Sequence, residues 1–279
     1  MSWGVRLTTN AVPEPAKAQA PFLDTTVPHS ARVWNYWLGG KDNYPADRAV
    51  GEQVREVYPE IIDVARESRG FLARAVRFLA EDAGIRQFLD IGTGLPTAGN
   101  THEVAQEIAP EARVVYVDRD PLVLVHARAL LTSTPQGVTA YVDADVRDPR
   151  AILAAAGDVL DFTQPVGLMM LGVLGNVADV DEAGQIVSRL VDAIPPGSYV
   201  VINDGTIADA EAARGAMEAA RRRKDAGDPY YPRTPEQIAR YVDGLELVEP
   251  GVVSTPLWRP EPGVSPRPIG SHGVVARKK

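Results

Sequence analysis

Phe88-Leu89-Asp90-Ile91-Gly92-Thr93-Gly94-Leu95-Pro96-Thr97 reads as a buried strand, a turn with two glycines and the approach to a helix. Glycines in such a turn let the backbone come close to a ligand. A dinucleotide turn would carry G-x-G-x-x-G, but the position three after Gly94 is Thr97, and Asp90 precedes the first glycine. A pyrophosphate would be repelled by Asp90, whereas the ammonium of an amino-acid-bearing cofactor would be attracted to it. The plain alternative for Asp-x-Gly-x-Gly is a tight turn without a ligand.

Two more carboxylates follow at neighbouring strand ends. Asp118 closes Val114-Val115-Tyr116-Val117-Asp118, where an acidic residue accepts hydrogen bonds from the ribose hydroxyls of a bound adenosine. Asp145 follows Tyr141-Val142-Asp143-Ala144 and stands where a carboxylate can accept from an adenine amino group. Each alone reads equally well as a helix cap; in order, the three describe an adenosine-shaped slot across three strand ends. A calcium loop over Asp143, Asp145 and Asp148 fails, because Arg147 takes a ligand position and no glycine follows.

Around this centre, short apolar strands alternate with helical patterns, the signature of an α/β fold with a mostly parallel sheet covered on both faces. Strands are expected at Gln87 to Ile91, Arg113 to Asp118, Thr139 to Asp143, Val166 to Leu171 and Ser198 to Asn203, with two last ones near Leu245 to Glu249 and His272 to Ala276. Helices are expected near Ala98 to Ile108, Leu122 to Leu131, Asp148 to Ala156, Asp181 to Ala193, Ala208 to Lys224 and Pro235 to Asp243. Upstream, residues 1–28 read as a flexible arm. Residues 29–84 read as a helical segment, with helices at Ser30 to Leu38, from Pro45, and at Ile61 to Ala83; residues 85–279 form the Rossmann-like domain.

Among 279 residues there is no cysteine, which excludes disulfides and thiolate-bound metals, and the four histidines make no metal spacing. The net charge of -8 argues against general affinity for nucleic acid. The basic run Arg221-Arg222-Arg223-Lys224 reads as a solvated helix end. Apolar runs are too short to cross a bilayer and no leader pattern is visible, so a cytoplasmic location is expected.

The block Ala31-Arg32-Val33-Trp34-Asn35-Tyr36-Trp37-Leu38-Gly39-Gly40-Lys41-Asp42-Asn43-Tyr44, with Phe88 to Asn100, Tyr116-Val117-Asp118 and Tyr141 to Pro149, resembles the actinobacterial S-adenosylmethionine methyltransferase family once known only as a domain of unknown function. The resemblance covers roughly His29 to Lys279. It implies a class I methyltransferase fold, seven strands with the last antiparallel, and an N-terminal helical lid. S-adenosylmethionine would lie over Gly92-Thr93-Gly94, with Arg119, Val146 and Leu171 among its binding residues. Gly39, Lys41 and Asn43 would be near its methionine end, where Lys41 or Arg69 would meet the carboxylate. Alternatively, Gly39-Gly40 ends a helix and Lys41 pairs with Asp42 or Asp47 in solvent.

The chain departs from that family around the expected acceptor pocket. Gly175-Asn176 stands where many relatives have His-Phe, and Asn203-Asp204-Gly205-Thr206 where relatives often show Ser-His. The remaining candidates there are Asp204 as base or cation holder, Asn176 as orienter, and Tyr36 or Tyr230 as hydroxyl donor or aromatic wall. The resulting expectation is methyl transfer to a small-molecule acceptor of specialised metabolism, leaving S-adenosylhomocysteine, with no nucleic-acid or membrane partner and with a homodimer left open. A cyclisation or elimination releasing methylthioadenosine, and a non-catalytic cofactor sensor, are the alternatives.

Overall fold

The computed structural model describes residues 24–279 except 131–132 and 208–209; the side chains of 124, 127–130 and 210–212 also stay outside the description. The expected arm therefore lies outside the described residues up to position 23, as do the ends expected at Leu131 and Ala208.

Five parallel strands, β1 (Gln87–Ile91), β2 (Arg113–Asp118), β3 (Val138–Asp143), β4 (Gly167–Leu171) and β5 (Tyr199–Gly205), lie in the order β3-β2-β1-β4-β5. β8 (Ser271–Arg277) runs antiparallel along β5, and two-residue strands β6 (Glu246–Leu247) and β7 (Val253–Ser254) both pair with β8. The single edge strand expected over 245–249 is thus two short pieces, because Pro250 offers no N–H and Gly251 turns the chain with φ 85°. Strand order reverses at β1, between β2 and β4. In open parallel sheets, the crevice beyond the strand ends at such a point is where ligands bind.

Period-two alternation builds both faces of the sheet. Leu89 and Ile91 of β1, with Val115 and Val117 of β2, point to the layer of α6 (Pro149–Ala156), α7 (Val180–Ala193) and α9 (Pro235–Arg240). Phe88, Val114 and Tyr116 point the other way, onto Phe71, Leu72, Ala75, Val76 and Leu79 of α3 (Ile61–Glu81) and Val104 of α4 (Thr101–Ile108). α4 starts three residues later than expected, because Gly99 takes φ +71° and Asn100 and Glu103 form a capping box.

α1 (Ser30–Trp37) and α2 (Pro45–Val57) form a third apolar cluster with the first turns of α3 and with α8 (Ala210–Asp225): Val33, Trp37, Val50, Val54, Ile61 and Ala219 meet there. α5 (Pro121–Leu130) brings Leu122 and Val123 against Leu95 and Tyr44. α1 and α2 hence stand over the carboxyl ends of the strands, beside the crevice. Among the described residues no helix is long and apolar enough to cross a membrane.

Candidate cofactor cleft and acceptor wall

The crevice is a cavity of about 240 Å³, floored by the strand ends and walled by α1. Gly92 and Gly94 hold φ +75° and +68°, values that disfavour any side chain, and a Cβ on Gly94 would stand in open space. Asp118 folds the turn: its Oδ2 accepts from the Gly94 amide at 2.9 Å and its Oδ1 from the Asp120 amide at 2.9 Å. Burial pushes the Asp118 carboxyl above its usual range, with those amides opposing.

Asp90 and Arg69 occupy one end of the cavity wall. Asp90 is 4% exposed, and its Oδ2 accepts from the Thr101 hydroxyl at 2.6 Å. Burial raises its pKa to about 6, opposed by that hydrogen bond and by the Arg69 charge. Arg69 spends Nη2 on the carbonyls of Gly99 and Ala98 and on Asn100 Oδ1, while its buried Nε has no partner. A buried carboxylate and a guanidinium with an unused donor at one end of a cleft match the two charges of an amino acid. The open space at Gly94 and the orphaned Arg69 Nε therefore fit the amino-acid-bearing adenosine expected from the sequence.

At the other end, Asp145 is half-buried. Burial would raise its pKa, but the Arg147 amide at 2.9 Å and the Arg119 guanidinium at 3.0 Å outweigh this and hold it below the usual range. Arg119, Val146 and Leu171 line the same cavity, as do Thr93 and Asn176.

Five of the residues singled out from the sequence do not reach this wall. Asn43 is buried, donating through Nδ2 to Asn35 Oδ1 and the Gly40 carbonyl, each at 2.9 Å. Gly40 lies so close to Asn35 that a Cβ would be 2.3 Å from its Nδ2, and Gly39 turns the chain with φ +79°. Gly39 to Asn43 is thus a turn folded onto Asn35, which does line the cavity; Lys41 is its exposed tip. Tyr36 packs on Gly51 and donates to Glu52, between α1 and α2. Asp204, wholly buried, sits behind Tyr230, whose hydroxyl donates to its Oδ1 at 2.9 Å; Gly175 N donates to the same oxygen at 3.1 Å. Burial raises the Asp204 pKa to about 6, opposed by those two hydrogen bonds. Gly175 is the reason the Tyr230 ring can reach inward, since a Cβ there would lie 2.3 Å from its Cε2.

Sequence reasoning missed Arg223 and its pairing with Asp228. Arg221 and Lys224 are exposed as expected, but Arg223 is 6% exposed and lines the cleft. α8 ends in a turn at Gly227 (φ +85°), where the Asp228 amide returns to the Arg223 carbonyl at 2.9 Å and sets Asp228 Oδ2 2.6 Å from Arg223 Nη2. Arg223 also donates to Ser30 Oγ at 2.8 Å, and Ser30 donates to Asn176 Oδ1 at 3.3 Å. The signal was present as an arginine five residues before an aspartate across a helix-ending glycine.

Residues 16–279 match the model of a family described as S-adenosyl methyltransferase. A solved protein of Streptomyces avermitilis, of the DUF574 family, is 46% identical, with a TM-score of 0.86 over 92% of this chain and 99% of its own. A methyltransferase-like protein of Thermobifida fusca is 43% identical, with a TM-score of 0.85 over 93% and 98%. An O-methyltransferase family protein of Burkholderia thailandensis, 15% identical with a TM-score of 0.50 over 84% and 59%, shares the fold. No match to a curated protein was found.

Proposed function

The chain belongs to the S-adenosyl methyltransferase family and is an S-adenosylmethionine-dependent methyltransferase; on that premise we propose that the cleft seats this cofactor with its amino-acid end at Asp90 and Arg69 and its adenosine along Asp118 and Asp145, and that the methyl group passes in line to a small-molecule acceptor. The observation that carries the seating is that buried Asp90 and the unpartnered Nε of Arg69 line the same cleft beside the glycine turn. Bound there, S-adenosylmethionine supplies a methyl group already activated by its sulfonium. What remains for the chain is alignment and exclusion of water.

α1 and α2 act as the lid, with His29, Ser30 and Asn35 facing the cleft. Asn176 orients the acceptor from the short helical turn Leu174–Asn176 that follows β4. Asp204 works through Tyr230, as a positioning residue that pins the ring at the wall. The net charge of -8 favours a small-molecule acceptor over nucleic acid, and the reading places the enzyme in the cytoplasm, in specialised metabolism.

Calorimetric titration with S-adenosylmethionine and S-adenosylhomocysteine tests the seating. Asp118→Ala is expected to lose roughly a hundredfold in affinity for both, two charge-assisted hydrogen bonds being removed. Wild-type failure to bind either would overturn the reading. Mass spectrometry of the incubated cofactor tests the reaction, since methylthioadenosine formed without any acceptor would mean cyclisation or elimination instead of transfer.

A further inference from the structure

Beside the cleft lies a smaller cavity of about 50 Å³, walled by Trp34 and Trp37 of α1, Val54 of α2, Val64 of α3 and Ala219 and Ala220 of α8. It shares Trp34, Ser68, Gly172, Arg223 and Tyr230 with the cleft, so the two spaces meet along one wall. We propose that this junction is the acceptor site, and that it takes a neutral, hydroxyl-bearing small molecule whose apolar end enters the chamber and whose hydroxyl donates to Asp228. The proposal rests on the cofactor reading above.

Charge argues for a neutral molecule. Among the described residues Arg223 is the one charged side chain on the chamber wall, its guanidinium 4.9 Å from the Tyr230 ring centre and 5.9 Å from that of Trp37. Arg223 is paired with Asp228 at 2.6 Å, so the chamber wall offers no unpaired carboxylate among the described residues, and an ammonium brought there would lose its water and meet a second cation. The hydroxyl is argued from Asp228, which is buried, lines the cleft and gives only Oδ2 to Arg223, at 2.6 and 3.0 Å. Its Oδ1 has no hydrogen-bond partner among the described residues. With Oδ2 clamped, Oδ1 is a fixed acceptor beside the chamber mouth that calls for a donor, and because the Asp228 charge is already met by the Arg223 guanidinium at 2.6 Å, a neutral O–H suits it better than a second cation. The aromatic walls and the small volume admit only a narrow apolar end.

The test is ligand-observed saturation-transfer NMR on the full chain saturated with S-adenosylhomocysteine, using phenol and, as the cationic counterpart of similar size, benzylamine. Phenol should bind saturably and benzylamine roughly tenfold more weakly or not at all. Asp228→Asn, which keeps an acceptor for Arg223 but weakens the hydroxyl's, should lose roughly tenfold in phenol affinity. Ala220→Leu should abolish phenol binding by filling the chamber while holding S-adenosylhomocysteine as wild type does. Absent phenol binding, benzylamine binding equally well, or phenol affinity unchanged in the variants would each overturn the proposal; should Asp228→Asn not fold, Ala220→Leu decides alone. Failure of S-adenosylhomocysteine to bind strikes the cofactor reading instead and is read first.

Discussion

On the proposed seating, binding and stability pull in opposite directions at Asp90. Its pKa rises from 3.8 to about 6 on folding because burial disfavours the charged form. The native state therefore holds a proton that the unfolded chain releases, so this residue's contribution favours folding below pH 4 and declines as pH climbs to about 6. A rise of that size corresponds to about 3 kcal/mol of lost stability at neutral pH. Asp90→Asn should raise the melting temperature of the ligand-free protein at neutral pH and weaken S-adenosylmethionine binding by tenfold or more. In the wild type, calorimetric affinity should fall as pH drops through about 6. A variant neither more stable nor weaker in binding would contradict both halves of the account.

At the scale of elements, α1 is held by carboxylates outside it. Asp47, wholly buried at the start of α2, accepts from the His29 amide at 2.9 Å and the Tyr44 amide at 2.8 Å, with Arg32 Nε 3.7 Å away. Asp120, after β2, lies 2.9 Å from His29 Nδ1 and 3.6 Å from Arg32 Nε. Asp47→Ala leaves two amides without their acceptor and removes one of the two carboxylates beside the buried Arg32 guanidinium, and should cost about 3–5 kcal/mol, read by denaturant unfolding. Hydrogen exchange should speed first in Ser30–Trp37. These ties also show what the sequence could convey. Strands β1 to β5 were legible because each is an apolar run between helical patterns, and the three acidic strand ends came with them. The Gly39–Asn43 turn was legible as a motif but not as a support, since its partner Asn35 reads as one polar residue on a helix. Arg223 was hidden by its neighbours: three of the four basic residues do face solvent or partly so, and only tertiary packing decides which one turns inward.

For the whole molecule, the cleft is assembled from the sheet, α1 and the segment after α8, so filling it ties together parts that are distant in sequence. A ligand that binds only the assembled form stabilises it by about 2.7 kcal/mol at a hundredfold excess over its Kd. For a domain of this size that corresponds to a rise of roughly 5 °C or more in melting temperature, with S-adenosylhomocysteine as with S-adenosylmethionine. A scanning-fluorimetry shift confined to high ligand concentration, or present equally in Asp118→Ala, would speak against a single assembled site. The exposed tip of the Gly39–Asn43 turn has a practical counterpart. Because the chain contains no cysteine, a thiol placed at Lys41 would be its only one, and a dye coupled there would ride on the turn that holds Asn35 to the cleft. An exposed position off the cleft wall is thus a natural place for a fluorescent reporter of when the cleft fills and empties.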